Sequence, residues 1–229
     1  MGLEYPHFLV NYKVYDGTAG EDGLALARTL EAVTEATGRT FAVAPQTPDV
    51  RLVAEATSLP VVAQSVDAME PGRGNGRISI QALAAAGADG VLVNHPENRA
   101  TLEEVKQTVA RCGEFGLESI VCVDGREMGE AALAFDPDCL LLEKPEDVAT
   151  GRAITRTHPE LVEEFVAMVD DRNPRTKVLV GGGISSADDV ARAFDLGADA
   201  AGAASAVLEA SDRRAWLTAV AEDMPRRLE

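Results

Sequence analysis

The chain has 229 residues, of which 46% are hydrophobic, and it carries 38 acidic against 21 basic side chains, a formal net charge of −17. That apolar content can bury one sizeable core, and the charge balance argues against a nucleic-acid partner, whose phosphates would be repelled. No run approaches the roughly 18 apolar residues of a membrane-crossing helix, and Met1-Gly2-Leu3-Glu4-Tyr5-Pro6 is too short and polar for an export signal. The expectation is a cytoplasmic protein with no membrane partner.

Only four of the bases are lysine, and the acids are scattered over helical faces instead of forming a tail. A lysine-poor, acidic surface points to a salt-loaded, halophilic cytoplasm, where self-repulsion is screened. At about 1 M salt the screening length is only about 3 Å. Cys112, Cys122 and Cys139 are an odd number without Cys-x-x-Cys spacing, and they read as reduced, buried thiols.

Along the chain, apolar runs of strand length alternate with amphipathic stretches of helix length. Phe8–Asn11 is the first predicted strand, followed by a helix over about Glu21–Ala36. Phe41–Ala44 is the second, and Thr47-Pro48-Asp49 then starts a short helix. Pro60–Gln64 is the third, after which Ser65–Arg77 is the one long irregular stretch, with Pro71, Gly72, Gly74 and Gly76. A helix over about Ile78–Ala86 leads to the strand Gly90–Asn94, and another over about Leu102–Glu114 leads to Ser119–Val123. A shorter helix, about Glu127–Phe135, precedes the apolar strand Cys139-Leu140-Leu141-Leu142, which ends in the carboxylate Glu143. The loop that follows, Lys144 to Gly151, has the length of a movable lid. A helix over about Pro159–Asp171, the strand Lys177–Val180, a helix over Ser186–Asp195, the strand Ala200–Ala203 and a closing helix with Trp216 complete the chain.

Strict strand–helix alternation demands a parallel sheet. Eight such units without a linker predict a single (β/α)₈ barrel over residues 1–229, with the active site at the carboxyl ends of the strands. An open doubly wound sheet is the alternative, but no Gly-x-Gly-x-x-Gly turn follows the first strand.

A barrel gathers all eight strand ends, so their polar residues gain meaning. The first ends in Asn11-Tyr12-Lys13, the fourth in Asn94-His95, the sixth in Glu143. A lysine at a buried strand end is costly unless it finds an anion, which makes Lys13 a candidate anion ligand. His95 precedes Pro96-Glu97-Asn98-Arg99, which reads as a helix start, and the positive end of a helix favours a neutral imidazole. Gly181-Gly182-Gly183-Ile184-Ser185 and Gly202-Ala203-Ala204-Ser205-Ala206 close the last two strands with small residues that let backbone N–H groups approach a phosphate. Taken alone, Glu143-Lys144 is also compatible with a solvated surface pair.

These motifs together resemble one family nearly end to end, the triosephosphate isomerases, and in particular their compact archaeal branch. Asn11-Tyr12-Lys13 is similar to the family's Asn-aromatic-Lys motif, and Ala44-Pro45-Gln46 and Gly76-Arg77-Ile78-Ser79 to its second- and third-strand loops. Asn94-His95-Pro96-Glu97-Asn98-Arg99 resembles the archaeal Asn-His-Ser-Glu-Asn-Arg form of the catalytic-histidine motif. Glu143-x-Pro145-Glu146-x-x-x-Thr150-Gly151 resembles the catalytic glutamate with its lid. Pro96, Lys144, Ala149 and Ala206 depart from the archaeal pattern, and none of the four removes a reacting group.

The resemblance implies interconversion of dihydroxyacetone phosphate and glyceraldehyde 3-phosphate, the reaction for which this family pairs a glutamate base with a neutral histidine under a closing lid. It implies Glu143 as the base, His95 as the electrophile, Lys13 with Asn11 as charge holders and Glu97 as the group orienting the lysine. Tyr12, Val148, Gly151, Gly181, Gly183, Ala204 and Ser205 would surround the substrate and its phosphate. No metal and no organic cofactor is implied. In this family the loop after the third strand reaches into a neighbouring subunit, so Ser65–Arg77 implies a homodimer or homotetramer. Another phosphosugar isomerase or epimerase, or a non-catalytic phosphate-binding barrel, would share the glycine loops. The former would need metal ligands or other strand-end acids, the latter would lack Lys13, His95 or Glu143.

Overall fold

The computed structural model describes residues 3–147 and 150–227. In chain order its elements are β1 (His7–Asn11), α1 (Gly20–Thr37), β2 (Thr40–Ala44), a 3₁₀ turn at Thr47–Asp49 running into α2 (Val50–Ala56), β3 (Val62–Ala63) and α3 (Ile80–Ala85). They continue with β4 (Gly90–Val93), α4 (Leu102–Phe115), β5 (Glu118–Val123), α5 (Arg126–Leu133), β6 (Cys139–Leu142), α6 (Ile154–Thr157) and α7 (Pro159–Arg172). The last are β7 (Lys177–Val180), α8 (Ala187–Asp195), β8 (Ala200–Ala203), α9 (Ser205–Leu208) and α10 (Arg213–Asp223).

All ladders are parallel, in the order β2-β1-β8-β7-β6-β5-β4-β3. The seam between β2 and β3 is closed by a single parallel bridge, Val43 to Val61, with Val43 N–H donating to Pro60 O at 3.0 Å. The fold is the (β/α)₈ barrel expected from the alternation.

Side chains alternate along each strand, so both faces must be apolar here. Leu9, Ala42, Val62, Leu92, Ile120, Cys122, Leu141 and Leu179 fill the barrel interior. Phe8, Val10, Phe41, Val43, Val121, Leu140, Leu142 and Val180 pack outward under the helices. Counting in twos along the inward rows then gives the polar residues at both ends. Towards the carboxyl ends the rows reach Asn11, Gln64, Asn94, Glu143 and Gly181, and towards the amino ends they reach His7, Glu118 and Lys177.

The floor is plugged by the first described residues. Leu3 and Tyr5 join the interior cluster. Glu118 accepts hydrogen bonds from Leu3 N–H at 2.7 Å and from the Tyr5 hydroxyl.

Three of the boundaries that differ from expectation lie between β3 and α4. The third strand is reduced to two laddered residues beside the bridge. α3 begins at Ile80 and not Ile78, because Asp67 engages Ile78 N–H at 2.6 Å and Ser79 caps the helix by accepting from Ala82 N–H. Pro96 opens no helix: Pro96 and Glu97 form a turn, and α4 starts only after Thr101, whose hydroxyl forms a capping box with Glu104.

Candidate active site

The first strand delivers a cation to the mouth of the barrel. Asn11 Oδ1 accepts from Lys13 N–H at 2.9 Å, a side-chain turn of the kind Asn favours. It helps hold Lys13 at φ 44°, a left-handed conformation that costs a non-glycine residue roughly 1–3 kcal/mol. Gln64 secures the same turn, its Nε2 donating to Lys13 O and Ala44 O, both at 3.0 Å. The ammonium thus held lies 3.1 Å from Glu97 Oε2. Gln64 was not among the predicted site residues. Its position, one polar amide ending an apolar run, repeats that of Asn11 and Asn94 and was the available signal.

Beyond β4, His95 is 7% exposed. Its Nδ1 accepts from Glu97 N–H at 3.1 Å, so the neutral ring carries its proton on Nε2. The His95 pKa is lowered to about 4, first by burial and then by the Lys13 cation; Glu97 opposes the shift and Arg99 adds to it. The expectation of a neutral imidazole holds, but its cause is desolvation and two cations instead of a helix terminus.

Glu143 follows β6, its N–H donating to Val123 O at 3.0 Å. Its side chain is 15% exposed and its Oε2 lies 3.5 Å from His95 Nε2. That oxygen is buried without a hydrogen-bond partner among the described residues. Burial raises the Glu143 pKa to about 7; Lys13 holds the rise back, Glu97 adds to it, and Gly182 N–H holds it back further. A carboxylate poised near neutrality, facing a neutral N–H donor and flanked by a cation, is equipped to take a proton from carbon while charge develops on a neighbouring oxygen.

Two hollows meet at Asn11 and Lys13. One, of about 310 Å³, is lined by Asn11, Lys13, Glu143, Gly151, Gly181, Gly183, Ala204 and Ser205 among others. The second, wider and more open, brings in His95, Glu97, Gln64 and Val14. Glycine is required where the walls close in. A Cβ on Gly181 would fall against Glu143 Oε1, and one on Gly183, whose φ is +71°, would fall against Arg152 O. Ser205 and Ala206 open α9, where the first N–H groups have no intrahelical acceptor.

The loop after β6 is tied down at its base. Asp147 is fully buried and its carbonyl accepts the Thr150 hydroxyl at 2.8 Å, while Ile154 N–H donates to Gly182 O at 3.2 Å. Arg156 joins the loop to α8, donating to Gly151 O at 2.8 Å and lying 3.0 Å from Asp189 Oδ1.

The sequence-predicted residues therefore converge, with two exceptions. Tyr12 is not brought to the cleft: it is fully buried and its hydroxyl donates to Gly23 O at 3.2 Å, so the side chain packs beneath α1. Val148 and the neighbouring Ala149 lie outside the described residues. Among the described residues no His, Cys, Asp or Glu cluster could hold a metal ion, and no helix is long and apolar enough to cross a membrane.

Comparison with known proteins gives the family of the chain. The chain is 39% identical over 204 residues to a triosephosphate isomerase of Methanocaldococcus jannaschii, covering 89% of this chain and 93% of that one. It is 38% identical over 210 residues to that of Methanobrevibacter smithii, covering 92% and 95%, and 37% identical over 222 residues to that of Methanothermus fervidus, covering 97% and 100%. The sequence model described as "Triosephosphate isomerase" matches residues 6–222, and the chain belongs to the triosephosphate isomerase family.

Proposed function

We propose that this isomerase interconverts dihydroxyacetone phosphate and D-glyceraldehyde 3-phosphate with Glu143 as base and His95 as electrophile. The observation that carries the assignment is the pair itself: His95 Nε2 lies 3.5 Å from Glu143 Oε2, in a cleft closed on its far side by two glycine turns. Ionised Glu143 takes a proton from C1 of the ketose. The C–H electrons form the C1–C2 double bond, and the C2 oxygen becomes an oxyanion held by His95 Nε2–H and Lys13. Protonated Glu143 then returns the proton to C2 while His95 relays the hydroxyl proton between the two oxygens. Asn11 fixes the Lys13 turn and Glu97 orients its ammonium. Backbone groups of Gly151, Gly181, Gly183, Ala204 and Ser205, with Val148 outside the described residues, take the phosphate, and the loop from Lys144 to Gly151 closes over it. A coupled assay of triose phosphate interconversion at low and molar salt tests the reading; absence of turnover in both would reject it.

Residues 1–229 act as one catalytic unit in the cytoplasm, serving glycolysis and gluconeogenesis, and the subunits assemble as a homodimer or homotetramer. Support for assembly comes from the irregular Ser65–Arg77 stretch and from Val14, 82% exposed at the rim of the wider hollow. Sizing in high salt should give at least twice the monomer mass, and an active monomer would contradict assembly. The net charge of −17 supports a halophilic protein. Its melting midpoint should rise between about 0.1 and 3 M potassium chloride as surface repulsion is screened, and a flat or falling midpoint would reject that reading.

A further inference from the structure

Asn94 takes no part in the reaction as proposed, yet its environment is unusual. It is 6% exposed and sits at φ 61°, left-handed although not glycine, immediately before His95. Its side chain is used at both ends. Nδ2 donates to Cys122 O on β5 at 2.9 Å, and Oδ1 accepts from Ala100 N–H at 3.1 Å. A carbonyl on one side and an N–H on the other fix the orientation of the amide. The amide therefore spans the whole turn from residue 94 to residue 100, inside which His95 O accepts from Asn98 N–H at 2.8 Å and His95 Nδ1 accepts from Glu97 N–H. On the far side, Pro96 restricts the backbone of His95 itself.

The anchor on β5 matters as much as the turn. Cys122 O belongs to the residue before Val123, and Val123 O accepts the backbone N–H of Glu143 at 3.0 Å. The turn bearing His95 and the strand end bearing Glu143 are thus both referenced to adjacent carbonyls of one strand. Every residue of β5 from Glu118 to Val123 is buried.

We propose that Asn94 is a positioning residue for the isomerisation, a clamp that holds the His95 turn on β5 and thereby sets the His95–Glu143 separation and the Nε2–H tautomer. The proposal rests on the assignment of His95 and Glu143 as the reacting pair. Asn94→Gly keeps the left-handed backbone accessible and removes both hydrogen bonds. Asn94→Asp retains the acceptor for Ala100 N–H and loses the donor to Cys122 O.

Turnover is measured with both substrates, alongside inorganic phosphate affinity, thermal melting and ¹⁵N spectra of the histidines. The expected result is a kcat lower by about 10- to 100-fold in Asn94→Gly, with KM and phosphate affinity within about twofold, the loss of positioning and not of binding. Asn94→Asp should fall in the same direction, since the β5 anchor is gone. The ¹⁵N signals of His95 should move from a pure Nε2–H form to a mixture in Asn94→Gly. That readout needs no turnover, so it stands apart from failure of the isomerase assignment itself. Unchanged kcat and tautomer in a folded Asn94→Gly would overturn the proposal, as would a kcat loss matched by equal loss of phosphate affinity.

Discussion

At the floor of the barrel, His7 donates from Nδ1 to Glu4 O at 3.0 Å, whereas at the mouth His95 accepts at Nδ1 from Glu97 N–H at 3.1 Å. Both imidazoles are buried and both are pushed down to about 4, burial being the largest cause in each. Burial decides that the rings are neutral; the partner of Nδ1 decides which nitrogen keeps the proton. At the floor the proton is committed to the chain's own backbone. At the mouth it is left on Nε2, 3.5 Å from Glu143 Oε2 and without a hydrogen bond to it.

The carboxylates divide in the same way. Glu118 accepts from Leu3 N–H and the Tyr5 hydroxyl, and Asp199 accepts from Lys177 Nζ at 2.9 Å and Val178 N–H at 2.8 Å. Asp89 and Asp138 likewise each take a backbone N–H from a neighbouring strand, Val61 and Ser119, at 2.9 Å. These acids finish the sheet. Glu143 Oε2, by contrast, is buried with no partner among the described residues, which destabilises the fold and leaves an acceptor for a ligand.

Substituting one acid at each end is the strongest way to break this comparison. Glu143→Gln keeps the shape and removes the proton acceptor, so turnover should fall roughly 10²–10⁴-fold with phosphate affinity nearly unchanged. Glu118→Gln can accept only one of its two donors and should lose about 1–3 kcal/mol of stability, with turnover kept within a few-fold. Steady-state kinetics and denaturant melts of both variants decide it. Wild-type turnover in Glu143→Gln, or a loss of activity in Glu118→Gln as deep as that in Glu143→Gln, would erase the distinction between the ends.

A pH series sharpens it next. As the proposed base, Glu143 would have to be ionised to act, and burial raises its pKa to about 7, so kcat/KM should climb about tenfold per pH unit below that value and level off above it. His95, at about 4, stays neutral across the whole range and adds no limb near neutrality. The substrate phosphate, with a second pKa near about 6, contributes a separate step. A profile flat from about pH 5.5 to 8 would mean that Glu143 is not the titrating base.

Much of this was legible in the sequence, for reasons the two ends make plain. Runs such as Cys139–Leu142 and Lys177–Val180 are strands because a barrel wall is apolar on both faces, and their boundaries match the structure. Glu143, His95 and Lys13 stood out as polar residues at the ends of such runs. The four-residue helices α6 and α9 were not legible, since they are too short to show a 3.6-residue period. Pro96 misled as a helix start because the left-handed turn at Asn94 is a tertiary arrangement, held by β5, that no local pattern reveals. Tyr12 misled because its neighbours Asn11 and Lys13 both face the cleft, while its own side chain turns beneath α1.

The smallest effect separates the ends thermodynamically. His7 and His95 have folded pKa values near 4, below the ordinary 6.5, so the unfolded chain binds their protons first as pH falls from 6.5. Their contribution to stability is present above 6.5 and lost on acidification towards 4. Glu143 has the opposite sign: its folded value near 7 exceeds the ordinary 4.5, so the folded chain binds its proton first, and acidification from 7 to 4.5 stabilises the fold. Glu118, raised by burial, acts in the same sense as Glu143. Between pH 4.5 and 6.5 the two histidines and Glu143 therefore oppose one another. Glu143→Gln removes one opposing proton, and the fall of unfolding free energy on acidification should steepen by about 1.4 kcal/mol per pH unit. His7→Gln removes a proton of the other sign at the floor and should make the same slope shallower by a similar amount. Urea titrations of the three proteins at several pH values read the slopes directly. Three equal slopes would show that neither His7 nor Glu143 changes its affinity for protons when the chain folds.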